Sequence, residues 1–199
     1  QALVHRKPEL VDVIIEMDKH VDLSEVAIEE EGLTILALHQ PVASDLRRIN
    51  TILKINGEIE RIADLACNIA ERSRDLHQFY PYFTVPDAIP EMATNATQMV
   101  RRVLDSFANQ DANQAKEVIL LDEQVDQQNL EAIQTLIQYM KESPELVEPS
   151  LHCFSAVRHI ERIGDHAENI AEDVVYLIDG EIIRHQHGVF IKPEQRAEI

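Results

Sequence analysis

Tryptophan is absent from this chain of 199 residues, and glycine occurs only five times, proline eight times and cysteine twice. So little glycine and proline, between long stretches of Leu, Ile, Val, Ala, Glu and Gln, points to a helical protein. The two cysteines, Cys67 and Cys153, form no CxxC pair. They exclude a disulfide framework and make a reduced cytoplasm the simpler setting. No apolar run approaches the roughly 18–20 residues of a membrane span, and no secretory signal opens the chain, so a soluble protein is expected. Basic residues are scarce as well: 18 Lys and Arg stand against 36 Asp and Glu, for a formal charge of −18. That excess would repel a phosphate backbone, which excludes nucleic acid as a partner. Also missing are a glycine-rich phosphate loop, a nucleophile with its base and the paired ExxH motifs of ferritin-type bundles. The expectation is a protein that is not an enzyme.

What is present is a phrase used twice. Glu60-Arg61-Ile62-Ala63-Asp64-Leu65-Ala66-Cys67-Asn68-Ile69-Ala70-Glu71 returns as Glu161-Arg162-Ile163-Gly164-Asp165-His166-Ala167-Glu168-Asn169-Ile170-Ala171-Glu172, with nine of twelve positions identical at an offset of 101. Asp18-Lys19-His20-Val21-Asp22 likewise returns as Asp122-Glu123-Gln124-Val125-Asp126, at an offset of 104. The chain is therefore two copies of one unit, each with an early DxxxD and a late ExxxD.

The punctuation between these motifs predicts five long helices. The first runs over about 10–39 and stops at Pro41. The second opens near Ser44, read as its N-cap with Asp45 in the first turn, and runs to about residue 76. Its apolar stripe is Ile49, Ile52, Ile55, Ile59, Ile62, Ala66 and Ile69. Tyr80-Pro81-Tyr82-Phe83-Thr84-Val85-Pro86 reads as the linker between repeats, and Pro90 is compatible with the first turn of the next helix. The second repeat then reads as helices over about 87–108, 112–141 and 150–178, with Ser143-Pro144 and Glu148-Pro149 marking the last turn and Asp179-Gly180 the end. This divides the chain into a first repeat at 1–80, a second at 87–180 and a tail at 181–199 with little periodicity. The fold class is all-α, two repeated antiparallel three-helix bundles. The counterpart of the 87–108 helix would fall before Gln1, so the first bundle is expected to lack its N-terminal helix, and its apolar face needs a cover.

Residues four apart on a helix share a face, which aligns Glu60 with Asp64 and Glu161 with Asp165. In an antiparallel hairpin, residues equidistant from the turn are level. Asp22 with Glu60 and Asp18 with Asp64 both centre on Pro41; Asp126 with Glu161 and Asp122 with Asp165 both centre on Ser143-Pro144. Each repeat thus brings four carboxylates together across a helix pair. The motif carboxylates point about 140° from the apolar stripe, so they are expected on the outside of the bundle without a dry pocket. Arg61 and Arg162 point elsewhere and do not neutralise them. An isolated DxxxD is an ordinary solvated face, but a fourfold arrangement present twice is costly unless a cation intervenes. Such sites suit hard cations (iron, Mn, Mg or Ca), with the Asn68 and Asn169 amide oxygens as further candidates. His166 reads as a surface histidine before an auxiliary ligand, since the first copy has Leu65 there; His159, Cys67 and Cys153 read as packing or surface residues.

Gln40-Pro41-Val42-Ala43-Ser44-Asp45-Leu46-Arg47 with the two ERI(A/G)D motifs closely resembles the PhoU family of phosphate-transport regulators. The resemblance implies multinuclear iron or zinc clusters held by Asp18, Asp22, Glu60 and Asp64 in one repeat and by Asp122, Asp126, Glu161 and Asp165 in the other. It further implies a cytoplasmic, often dimeric protein that represses the phosphate-starvation response through a Pst-type transporter ATPase and a PhoR-type sensor kinase. The alternative is a carboxylate-bridged metalloenzyme or metal-storage protein.

Overall fold

The computed structural model describes Lys7 and residues 9–184, and its ordered elements are all helical: α1 (Glu9–His39), α2 (Ala43–Phe79), α3 (Ala88–Asn109), α4 (Ala112–Glu142) and α5 (Val147–Asp179), with a short 3₁₀ turn at Pro144–Leu146. Residues 185–199, most of the expected tail, lie outside the described residues.

Helix ends follow local chemistry, sometimes not the residue that the sequence suggested. Asp111 caps α4 by accepting from the backbone N–H groups of Asn113 and Gln114, at 3.0 and 3.1 Å. Ser44 does not cap α2: the helix begins at Ala43 after an extended Val42, with no side-chain cap. Pro149 does not mark a turn either. It lies in the first turn of α5, three residues earlier than expected for that helix, where its missing N–H would have had no intrahelical acceptor. At the far end of α5, Gly180 takes the left-handed conformation, with φ 77°, and its N–H returns to the Tyr176 carbonyl.

α3, α4 and α5 form an antiparallel three-helix bundle whose fully buried side chains include Ile89, Met92, Met99, Val103, Val118, Val125, Leu136, Val157, Ile170 and Val174. α2 lies antiparallel on α5, burying Ile55, Leu65 and Leu76, and α1 completes a hairpin with α2. Because α2 is packed on two sides, its expected apolar stripe is only part of its buried surface, which also takes in Thr51, Asn56, Ala70 and Ser73. Among the described residues α1 packs chiefly against α2: Val11 is buried, whereas Val13, Met17, Leu23, Val26, Leu33 and Leu38 are more than half exposed. The apolar face expected of an incomplete first bundle is therefore present. No helix among the described residues is long and apolar enough to cross a membrane.

Candidate metal centre

The α4–α5 hairpin brings Asp122, Asp126 and Asp165 to one place, each offering a carboxylate oxygen within 4.8 Å of the others. The helix period does this: Asp122 and Asp126 share one face of α4, and Asp165 stands opposite them on α5. Gly164 makes the approach possible, because a Cβ there would sit 3.1 Å from Asp122 Oδ1 and 3.4 Å from Val125 Cγ1. Asp122 Oδ1 is itself buried without a hydrogen-bond partner. Burial, followed by the charges of Glu168, Asp126, Asp165 and Glu161, pushes the Asp122 carboxyl up to about 8. Asp165 is raised by burial and by Asp126, against His166, Arg158 and Arg162.

Glu161 joins the same field. Its carboxyl is raised by burial and by Asp165, while Arg158 binds Oε1 at 2.8 Å and opposes the rise. Its other oxygen, Oε2, is buried without a partner. The arginine paired with this cluster is thus Arg158, one helical turn before the motif, and Arg162 adds to its effect on Asp165. Arg61 is likewise engaged, with Glu58 at 2.8 Å.

The expected outward placement holds for Asp22, Asp64 and Asp126, which are exposed, but the expectation of no pocket is corrected here. Asp122, Asp126, Asp165 and Glu168 line a recess of about 350 Å³ together with apolar Ile119 and Leu120. The motif faces the groove between two helices, where Asp122 and Asp165 are half-buried and Asp126 stays exposed. Glu168 is the residue that sequence reasoning missed. It follows Glu161 at the i+7 position on the same face, and comparing the copies concealed it because the first has Cys67 there.

The first-repeat carboxylates line the α1–α2 seam more loosely. Glu60 is raised by burial and then by Asp64, Asp22 and Glu25, so Asp22 and Glu60 are close. Asp18 lies beside Cys67, whose thiol is pushed up to about 12 by burial, Asp18, Asp64 and Glu71. Asp18 Oδ1 is buried without a partner. Among the described residues, however, no three of Asp18, Asp22, Glu60 and Asp64 converge as the second-repeat trio does.

His166 is neither a surface residue nor turned to the cluster. Its Nδ1 lies 2.7 Å from Glu58 Oε2 on α2, with both side chains largely buried. Asn169 donates to the same oxygen at 3.2 Å. Burial raises the Glu58 carboxyl, but the bonds from His166 and Asn169 prevail and hold it below the ordinary range. Asn68 donates to the Asp64 carbonyl on its own helix. Both amide nitrogens thus donate to other partners, and neither residue lines the recess. Cys153 is a core residue, its thiol pushed up to about 12 by burial, and His159 is half-buried against Ser155.

The family model of the PhoU domain matches residues 1–73 and again 89–174. The chain belongs to the PhoU family. It is 37% identical over 180 residues to the phosphate-specific transport system accessory protein PhoU homolog of Zymomonas mobilis, covering 90% of this chain and 76% of that one. The crystal structure of PhoU from Pseudomonas aeruginosa superposes with a TM-score of 0.86 at 37% identity, covering 90% of this chain and 86% of the other. That of the phosphate transport system regulatory protein PhoU from Streptococcus pneumoniae does so at 0.82 and 28% identity, with coverage of 91% and 84%. The double match of the PhoU domain coincides with the internal repeat.

Proposed function

We propose that the chain is a non-enzymatic, metal-binding regulator of phosphate transport and of the phosphate-starvation response. It acts in the cytoplasm on a Pst-type transporter ATPase and a PhoR-type sensor kinase, as a homodimer. The observation that carries the metal-binding part is the convergence of Asp122, Asp126 and Asp165 in a recess, on the bundle of a family whose relatives are named for phosphate transport. Four carboxylates, two of which (Asp122 and Glu161) carry a buried oxygen without a partner, and one strongly raised acid form a donor set suited to a hard cation such as iron, Mn, Mg or Ca, with zinc as the further candidate from the resemblance. Asp122, Asp126, Asp165 and Glu161 would hold it in the second repeat, and Asp18, Asp22, Glu60 and Asp64 in the first. A bound cation supplies positive charge there and ties α4 to α5.

The test is genetic and chemical. A clean deletion strain should derepress phosphate-starvation genes, and the parent chain should restore control while Asp122→Asn with Asp165→Asn restores it only weakly. Normal phosphate control in the deletion strain, or robust turnover of a small substrate by the purified chain, would contradict the reading.

A further inference from the structure

α2 and α5 are related by the 101-residue repeat and pack antiparallel, so contacts at one end of their seam have counterparts at the other. Shifting by the repeat exchanges Lys54 with Ser155, Asp173 with Arg72 and Arg47 with Glu148. At the first end the seam is closed by the chain itself. After Gly180 the backbone folds back, Ile183 is buried, and Arg184 pairs with Asp173, which also takes Lys54 Nζ at 3.3 Å.

At the second end the segment after α2 leaves early. Pro81 and Tyr82 turn, and Phe83, the counterpart of Arg184, is buried with its ring 6.0 Å from that of Tyr139. What remains is a cleft of about 340 Å³ lined by Arg72, Tyr80, Glu148, Leu151, His152 and Ser155. Arg72 takes the place of the acid and is 43% exposed, and its ion pair among the described residues is a long one, to Asp75 on its own helix at 3.8 Å. The wall beside it is aromatic and apolar: the Tyr80 and His152 rings lie 5.6 Å apart, and Leu151 is 52% exposed. Glu148, at the rim, accepts from the Tyr80 hydroxyl at 2.7 Å.

We propose that this cleft at the α2–α5 end is a docking site for a short peptide segment of a partner protein, one that presents a carboxylate to Arg72 beside an apolar side chain on Tyr80 and Leu151. The closed end shows which kind of occupant this seam accepts: a short stretch of chain without regular structure that carries a charge opposite to residue 173. At the open end the charge is inverted, so the occupant is acidic. A peptide also fits better than a free anion, because Glu148 and Asp75 flank Arg72 and repel a dianion, whereas backbone N–H groups can donate to Glu148. The inference deepens the regulatory reading by naming a partner surface, and it involves no metal.

The probe is the N-acetylated, C-amidated pentapeptide Gly-Glu-Ile-Ile-Glu, the sequence of residues 180–184 with its final Arg replaced by Glu; Gly-Glu-Ile-Ile-Arg, capped in the same way, is the control. Binding is followed by perturbation of the His152 ring resonances of the full chain in chelator. The parent should bind the acidic peptide and not the control, and Arg72→Glu should invert that preference by roughly tenfold or more in each direction. Absence of saturable binding, a preference unaltered by Arg72→Glu, or binding of inorganic phosphate in place of the peptide would each overturn the proposal. Phosphate control in a strain carrying Arg72→Glu separates the two ideas. Normal control there with deranged control in the deletion strain removes this surface and leaves the family function standing.

Discussion

At the scale of single residues, Asp122 has the most to lose by being ionised. Its carboxyl is raised from 3.8 to about 8 by burial and by four neighbouring acids. A raised pKa in the folded state favours folding below the unfolded value and ceases to do so as pH rises through the folded value. The metal-free protein should therefore lose stability between about pH 4 and pH 8, and Asp122→Asn should remove much of that slope. Melting curves in chelator across this range check it; a parent and variant with the same slope would contradict it. The same proton must leave when a cation binds at pH 7, so titration in weakly buffered solution should show proton release in the parent and less in Asp122→Asn. Gly164→Ala tests the room left for Asp122. Alanine gains about 1 kcal/mol of helix propensity over glycine, but its methyl would press on Asp122 Oδ1 at 3.1 Å. Calorimetry should show weaker metal binding with thermal stability in chelator little changed, whereas unchanged affinity would show that the carboxylate moves aside freely.

Elements were the most legible scale, because their signals are local. The punctuation at Pro41, Tyr80–Pro86, Asn109–Asp111 and Ser143-Pro144 separates the five helices, and the level pairing of motifs about two turns placed Asp122 and Asp126 opposite Asp165. Errors arose where a helix end answered to its neighbours: Ser44 was passed over as a cap, and Pro149 lies inside α5. The contact between α2 and α5 was invisible, since Glu58 and His166 are 108 residues apart and their partnership has no counterpart in the other copy, where His159 and Leu65 stand. The half-burial of Asp122 and Asp165 was missed for the same reason, as a helical wheel drawn for one helix omits the helix beside it. The Glu58 bond makes His166 a fastener between repeats. His166→Leu, the residue the first copy uses, should lower stability by about 1 kcal/mol while leaving metal-dependent stabilisation intact. Loss of the metal response in that variant, read from melting curves with and without metal, would make His166 a ligand instead.

At the scale of the whole molecule, 36 acids against 18 bases leave a net charge of −18, and the structure concentrates part of it along two helix-pair seams. Close acids destabilise a fold unless protons, arginines or cations offset them; at the α4–α5 seam Arg158 offsets one and Asp122 holds a proton. A cation bound at this seam would offset the remaining deficit and would stabilise only the folded hairpin. Stabilisation by mass action amounts to about 2.7 kcal/mol at a hundredfold excess over the dissociation constant. The direct test is the melting temperature of the chelator-stripped chain as Mn²⁺ or Zn²⁺ is added, for the parent and for the triple variant Asp122→Asn, Asp126→Asn, Asp165→Asn. The melting temperature should rise with metal concentration in the parent and much less in the variant, and the variant should be at least as stable as the parent in chelator. An equal metal-induced rise in both proteins would show that these carboxylates are a solvated acidic face and not a metal centre.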